Sequence, residues 1–68
     1  MNFGLYYEKA IFDKKIKKAE VARKIDITRQ TLSTNIEQWK ARRDPNIKTI
    51  KKYLDALDID IKNFFNSM

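Results

Sequence analysis

Apolar side chains recur at spacings of three and four residues through most of this chain, which is the period of amphipathic α-helices. The pattern predicts five helices and no strand, with one glycine and one proline as the strongest interruptions. The predicted helices begin near residues 3, 18, 29, 47 and 61, and the first three end near residues 15, 25 and 39. We therefore expect an all-α fold with a single domain over residues 1–68.

Stripes on the first, fourth and fifth helices are predicted to supply the core. In the first helix, the aromatic residues are expected to be buried, and five residues should lie close together: Leu5, Tyr7, Glu8, Ile11 and Phe12. The fourth helix has Asn46 as its expected N-cap. Its predicted core stripe is Ile47, Ile50, Leu54 and Leu57. Asp60 should cap the short fifth helix, which carries Ile61, Phe64 and Phe65.

The segment from Lys18 to Glu37 has the pattern of two short helices joined by a tight turn. In its first half, the buried stripe is predicted to be Val21, Ala22 and Ile25. A small side chain at Ala22 lets a second helix cross closely. Asp26 and Ile27 then interrupt the helix, and the Thr28 hydroxyl is a good cap for the next one.

The second helix of this segment separates into two faces when it is drawn at about 100° per residue. Its apolar face is predicted to hold Leu32, Asn35, Ile36 and Trp39. Its outward face is predicted to hold Arg29, Gln30, Ser33, Thr34 and Glu37. The outward side chains are mostly short or hydrogen-bonding, which is the composition that reading base edges in a DNA major groove requires.

These patterns resemble the lambda-repressor and Cro-like helix-turn-helix family of phage and bacterial regulators. The resemblance rests on four stretches: Ile16 to Ala22, Ile27 to Ser33, Asp44-Pro45-Asn46 with the stripe that follows, and Ile59 to Phe65. It implies a five-helix DNA-binding domain with a helix-turn-helix motif. Three features depart from the family pattern. Asp26 stands where a turn glycine is usual, and no glycine follows the recognition helix. The longer segment between Leu32 and Pro45 indicates an extended recognition helix.

The resemblance also implies which side chains read base edges. These residues are Arg29, Gln30 and Thr34, with Ser33 nearby, and the helical drawing turns the same four outward. Arg29 can donate two hydrogen bonds to guanine, Gln30 can pair with adenine, and Thr34 can contact thymine. Each could instead be a solvated surface residue, and Arg29 could pair with a phosphate.

Contacts to DNA phosphates are expected at both ends of this surface. Lys18 and Thr28 stand where the family resemblance implies backbone contacts, and helix N-termini favour anions. The basic cluster Lys40-Ala41-Arg42-Arg43 is expected to be a loop. Its position resembles the family's second phosphate clamp, which Lys40, Arg42 and Arg43 would form. The plain alternative is a solvated basic loop.

The charge distribution agrees with a nucleic-acid partner. The net charge is +6, and it divides into +3 for residues 1–27, +4 for residues 28–51 and −1 for residues 52–68. The positive field therefore lies on the motif and its flanks, and double-stranded DNA is the natural partner. Lysine-rich solvated helices would give the same total charge. The helix-turn-helix pattern, and not the charge, therefore favours a DNA-binding surface over merely solvated helices.

The chain has no cysteine and no histidine, so it lacks disulfides, thiolate chemistry and the commonest general base. We expect no enzymatic activity and no cofactor, metal or small-molecule ligand. Three aspartates, Asp55, Asp58 and Asp60, lack the spacing of a calcium loop and are expected to be a cap and solvated surface. The N-terminal residues do not resemble a signal peptide and no apolar run approaches a membrane span, so a cytoplasmic protein is expected.

Two aromatic positions leave more than one interpretation. Trp39 could stack on a base, but its spacing from Leu32 and Ile36 favours the core. Phe64 and Phe65 are adjacent on a short helix and cannot both point inward, so one should be exposed or form a dimer contact. Phe65 and Met68 are predicted to contribute to a homodimer surface.

The sequence as a whole favours a Cro-like repressor that binds an inverted-repeat operator as a homodimer. One alternative is a protein-interaction module with the same fold, such as an antitoxin or antirepressor, which would bind a protein partner through its aromatic C-terminal end and be indifferent to DNA. Another alternative is a binder of nucleic acid or anionic membranes driven by charge alone, whose binding would be unselective and abolished by salt.

Overall fold

The computed structural model describes residues 2–66, and these residues form five α-helices and no strand. The helices are α1 (Phe3–Lys14), α2 (Lys18–Lys24), α3 (Arg29–Ala41), α4 (Ile47–Asp55) and α5 (Ile61–Asn66). The predicted all-α architecture is confirmed, with the first three helix ends within two residues of their predicted places. Helix α3 packs against both α1 and α2, while α4 packs against α5.

Each helix start that the sequence predicted to be capped has its cap. The Thr28 side chain accepts a hydrogen bond from the backbone N–H of Thr31, and the Asn46 side chain accepts one from Thr49. Asp60 accepts a hydrogen bond from the N–H of Lys62 at the start of α5. Such caps satisfy backbone donors that have no partner inside the helix.

An aromatic cluster joins four of the helices into one core. The ring of Phe3 lies 5.4 Å from Tyr7, 5.5 Å from Trp39 and 5.5 Å from Phe64, measured between centroids. The Tyr53 ring then lies 4.8 Å from Trp39 and 5.3 Å from Tyr7. The core interpretation of Trp39 is confirmed, and this cluster holds α3 from the side opposite to its exposed face.

A buried hydrogen bond connects α1 to α4 within this cluster. The Tyr7 hydroxyl donates to the Tyr53 carbonyl at 2.7 Å, near the end of α4 where carbonyls lack helical partners. Burial, with a smaller contribution from Tyr53, raises the pKa of the Tyr7 hydroxyl well above its usual range. Tyr7 therefore keeps its proton and remains a donor.

Two predictions of burial are wrong, those of Phe12 and of Ile47. The Phe12 side chain is 81% exposed, because the buried stripe of α1 runs through Phe3, Tyr7 and Ile11 and Phe12 lies on the opposite side of the helix. Leu5 is also exposed. The Ile47 side chain is 60% exposed although it shares the periodicity of α4. Ile47 is the first residue of that helix, and its side chain points back past the helix end, where the core stops.

Candidate nucleic-acid interface

The turn between α2 and α3 fixes the angle at which α3 leaves the domain. Asp26, which stands where a glycine is usual, adopts a left-handed conformation with a φ of 61°. The N–H of Ile27 donates to the Ala22 carbonyl at 2.9 Å, and the N–H of Asp26 donates to the Arg23 carbonyl at 3.2 Å. This pair of hydrogen bonds is a Schellman motif, which ends α2 sharply and lets α3 begin three residues after Asp26.

Helix α3 presents the two faces that its periodicity predicts. Leu32 and Ile36 are fully buried, whereas Arg29, Gln30 and Thr34 are exposed. Ser33 is partly buried beside them. The four predicted base-reading residues therefore share one accessible surface, and their base-reading roles stay predictions.

Asn35 ties the inward face of α3 to α4. Its side-chain amide donates to the Tyr53 hydroxyl at 3.0 Å, so a polar residue on the apolar face has a partner. No buried side-chain nitrogen or oxygen in the described part of the chain lacks a hydrogen bond. The position of α3 is therefore determined by hydrogen bonds as well as by apolar packing.

The start of α1 packs closely against the C-terminal end of α3, and this contact, called the α1–α3 seam, fixes that end of α3. Gly4 lies so near α3 that an added methyl group would be 2.6 Å from the backbone nitrogen of Lys40 and 2.7 Å from the carbonyl oxygen of Ile36. The Asn2 side chain donates to the Lys40 carbonyl at 3.1 Å, and the Asp44 carboxylate accepts from the N–H of Phe3 at 2.7 Å. Sequence analysis missed this seam, because its partners are far apart along the chain.

Lys40 was predicted to lie in a loop, and that placement is wrong because α3 continues through Ala41. Its ammonium contacts Glu8 of α1 at 3.2 Å and Glu37 of α3 at 3.2 Å. The hydrogen bond to Glu37 and then the one to Glu8 raise the pKa of Lys40 above its ordinary value. A phosphate contact by Lys40 stays a prediction, and it would compete with two carboxylates for the same ammonium.

The other predicted phosphate-binding residues lie around the exposed surface of α3. Lys18 and Lys17 border a shallow depression together with Arg29, so the start of α2 and the start of α3 are adjacent. Arg42 borders a second depression along α3, whose lining also includes Ser33, Thr34, Glu37, Gln38 and Ala41. Arg43 is exposed in the loop that follows α3. Basic side chains thus stand at both ends of the polar face, and Thr28 uses its hydroxyl as the cap of α3.

The acidic residues beyond α4 have ordinary structural roles. Asp55 pairs with Lys51 at 3.4 Å and Asp60 caps α5, in agreement with the prediction of a cap and surface. No three His, Cys, Asp or Glu side chains within residues 2–66 are grouped so as to hold a metal ion. None of the helices described has the length and apolar character needed to cross a membrane.

Comparison with known proteins gives one match. A family model described as the Cro/C1-type HTH DNA-binding domain matches residues 8–66, which include the whole helix-turn-helix segment and both helices after it. No curated protein and no solved structure matches the chain.

Proposed function

We propose that this chain, which belongs to the Cro/C1-type HTH DNA-binding domain family, is a sequence-specific transcriptional regulator. It would repress transcription by occupying promoter DNA. The DNA is expected to be an inverted repeat bound by a homodimer, with half-sites about 34 Å apart if the dimer uses the common geometry of the motif. A partner of this kind implies a cytoplasmic location. The observation that carries the proposal is the polar face of α3, which is exposed and bordered by basic side chains.

The positions of the side chains suggest which residues would contact bases and which would contact phosphates. Arg29, Gln30, Ser33 and Thr34 would contact base edges in the major groove. Lys18, Thr28, Arg42 and Arg43 would contact phosphates, which supply affinity with little sequence information. If about six phosphates are neutralised, the logarithm of affinity should fall with the logarithm of salt concentration with a slope on the order of −5.

We expect Gln30→Ala and Arg43→Ala to weaken DNA binding in different ways. Gln30→Ala should lose about 1–3 kcal/mol of discrimination at one base pair, because it removes a bidentate base contact. Arg43→Ala should weaken all sequences alike and reduce the salt slope by about 1, because it removes a phosphate contact. Sequence selection from random duplexes at physiological salt, followed by titration of the selected and scrambled duplexes, measures both effects.

Failure to select any sequence with the unaltered chain would end the proposal of a specific regulator. Equal binding to duplex DNA, single-stranded RNA and acidic vesicles, abolished by salt, would favour the charge-driven alternative instead. A Lys62→Ala variant is a suitable charge control for Arg43→Ala, because Lys62 is exposed and belongs to α5, outside the helix-turn-helix segment.

The homodimer is proposed to use Phe65, whose side chain is 39% exposed beside the buried Phe64. The other predicted contributor, Met68, lies outside the described residues. Phe65→Ala should shift the chain toward monomer in sedimentation analysis and weaken binding to a two-half-site duplex far more than to a single half-site. Phe12→Ala, which removes an equally large exposed ring from α1, is the matched control. An unchanged monomer–dimer equilibrium in Phe65→Ala would exclude this surface.

One observation favours a second candidate, a protein-interaction module that uses the surface of α1 instead of the C-terminal end named in the sequence prediction. Leu5 and Phe12 are 52% and 81% exposed, and their separation of seven residues puts them on one side of α1. Exposed apolar side chains on one helix face are typical of protein-binding sites. Capture of a stoichiometric protein partner that Phe12→Ala abolishes, together with indifference to DNA, would favour this function.

A further inference from the structure

Glu37 stands at the centre of the polar face of α3, although base reading has been assigned only to its neighbours. It follows Gln30 by seven residues, which places it within about 20° of Gln30 around the helix axis. Ser33 and Thr34 lie on either side of that line. An acidic side chain at this position therefore shares the exposed surface of the proposed base readers.

The Glu37 carboxylate is held in place by a chain of ionic contacts that crosses to α1. Its Oε2 atom accepts a hydrogen bond from the Lys40 ammonium at 3.2 Å, and the same ammonium contacts both carboxylate oxygens of Glu8, at 3.2 and 3.3 Å. The Glu37 side chain is nevertheless 64% exposed, and none of the described residues donates a hydrogen bond to its Oε1 atom. One oxygen is therefore anchored to the domain while the other can accept a further hydrogen bond.

From this geometry we infer that Glu37 is a further specificity-determining residue, which selects cytosine by accepting a hydrogen bond from its N4 amino group. The inference rests on the proposed function and adds to it the identity of one base. Guanine and thymine present acceptor oxygens in the major groove, and adenine presents the N7 acceptor beside its amino group. A carboxylate is repelled by those acceptors, so cytosine is the base that fits.

The position of the selected base follows from the helix rise. Glu37 lies about 10 Å along α3 from Gln30. Successive base pairs are spaced about 3.4 Å apart. If α3 lies along the major groove, the cytosine should lie within about three base pairs of the base pair that Gln30→Ala affects. Lys40 is a positioning residue in this scheme, because it directs Glu37 without contacting the DNA base itself.

Sequence selection with the unaltered chain and with Glu37→Ala tests the inference. The unaltered chain should prefer cytosine at this position by about 10-fold over the other bases, and Glu37→Ala should abolish that preference while keeping the one due to Gln30. Tighter binding of Glu37→Ala to every sequence alike would show that the carboxylate only repels phosphates, and would overturn the inference. An unchanged preference would overturn it too.

Lys40→Met tests the positioning role, with Lys52→Met as its matched control, since Lys52 is exposed on α4 and outside the ionic chain. Both variants lose one positive charge, so both should bind DNA more weakly, but only Lys40→Met should reduce the cytosine preference. Equal preferences in the two variants would exclude a positioning role for Lys40. If the unaltered chain selects no sequence, the proposed function itself is overturned. If it selects a sequence that shows no cytosine preference at this position, only the assignment of Glu37 is overturned.

Discussion

Replacement of Gly4 by alanine should destabilise the domain by about 1–3 kcal/mol, although alanine is the better helix former by about 1 kcal/mol. The added methyl group would lie 2.6 Å from the Lys40 backbone nitrogen and 2.7 Å from the Ile36 carbonyl oxygen. Both of these atoms belong to the α3 backbone, so no side chain can rotate away to relieve the contact. Helix α1 must move away from α3, and the seam between them opens.

Thermal unfolding followed by circular dichroism measures this effect. A loss of 2 kcal/mol lowers the melting temperature of a domain of this size by about 10 °C. Lys9→Ala is the matched control, because Lys9 is an exposed residue of the same helix and its replacement should change stability by less than about 0.5 kcal/mol. A Gly4→Ala variant as stable as the unaltered chain would mean that α1 does not approach α3 this closely.

The same substitution connects stability to DNA reading. The seam holds the end of α3 through the Asn2 hydrogen bond and the Glu8–Lys40 contact. If α1 is displaced, the exposed face of α3 loses the support that orients Glu37, while the caps at Thr28 and the turn at Asp26 remain. We therefore expect the folded fraction of Gly4→Ala to lose more cytosine preference than preference at the Gln30 position.

The sequence predicted those features that depend on neighbours along the chain. The period of α3 placed Gln30 outward and Leu32 inward, because a helix brings residues three and four apart to one side. Asp26 at the turn and the caps at Thr28 and Asn46 follow from local backbone chemistry, and the structure has all three. Base-reading and phosphate-binding roles remain predictions, since only DNA can test them.

The features that the sequence did not predict depend on tertiary contacts or helix ends. Glu8 and Lys40 are 32 residues apart, and no local pattern pairs them. Helix α1 has apolar residues around most of its circumference, so its periodicity could not distinguish the buried Phe3 from the exposed Phe12. Gly4 has no unusual backbone angle, and its requirement for a small side chain appears only when α3 lies against it.

Phe64→Ala is expected to have the largest effect of any single substitution considered, a loss of about 3–5 kcal/mol. The Phe64 side chain is almost completely buried, and its ring lies 4.7 Å from Tyr6 and 5.5 Å from Phe3. A domain of this length has about 3–10 kcal/mol of total stability, so the loss approaches the whole free energy of folding. Because Phe3 in turn contacts Trp39 of α3, the effect should extend to the helix that carries the polar face.

The adjacent residue supplies the matched control for this prediction. Phe65→Ala removes the same ring from the same short helix, but Phe65 is 39% exposed and its ring contacts only Phe64 among the aromatic residues described. At protein concentrations low enough to keep the chain monomeric, urea unfolding should show a loss below about 1 kcal/mol for Phe65→Ala. Equal losses in the two variants would contradict the assignment of Phe64 to the core and Phe65 to the surface. A small loss for Phe65→Ala that grows with protein concentration would instead place Phe65 in the proposed dimer contact, because association stabilises the folded state by mass action.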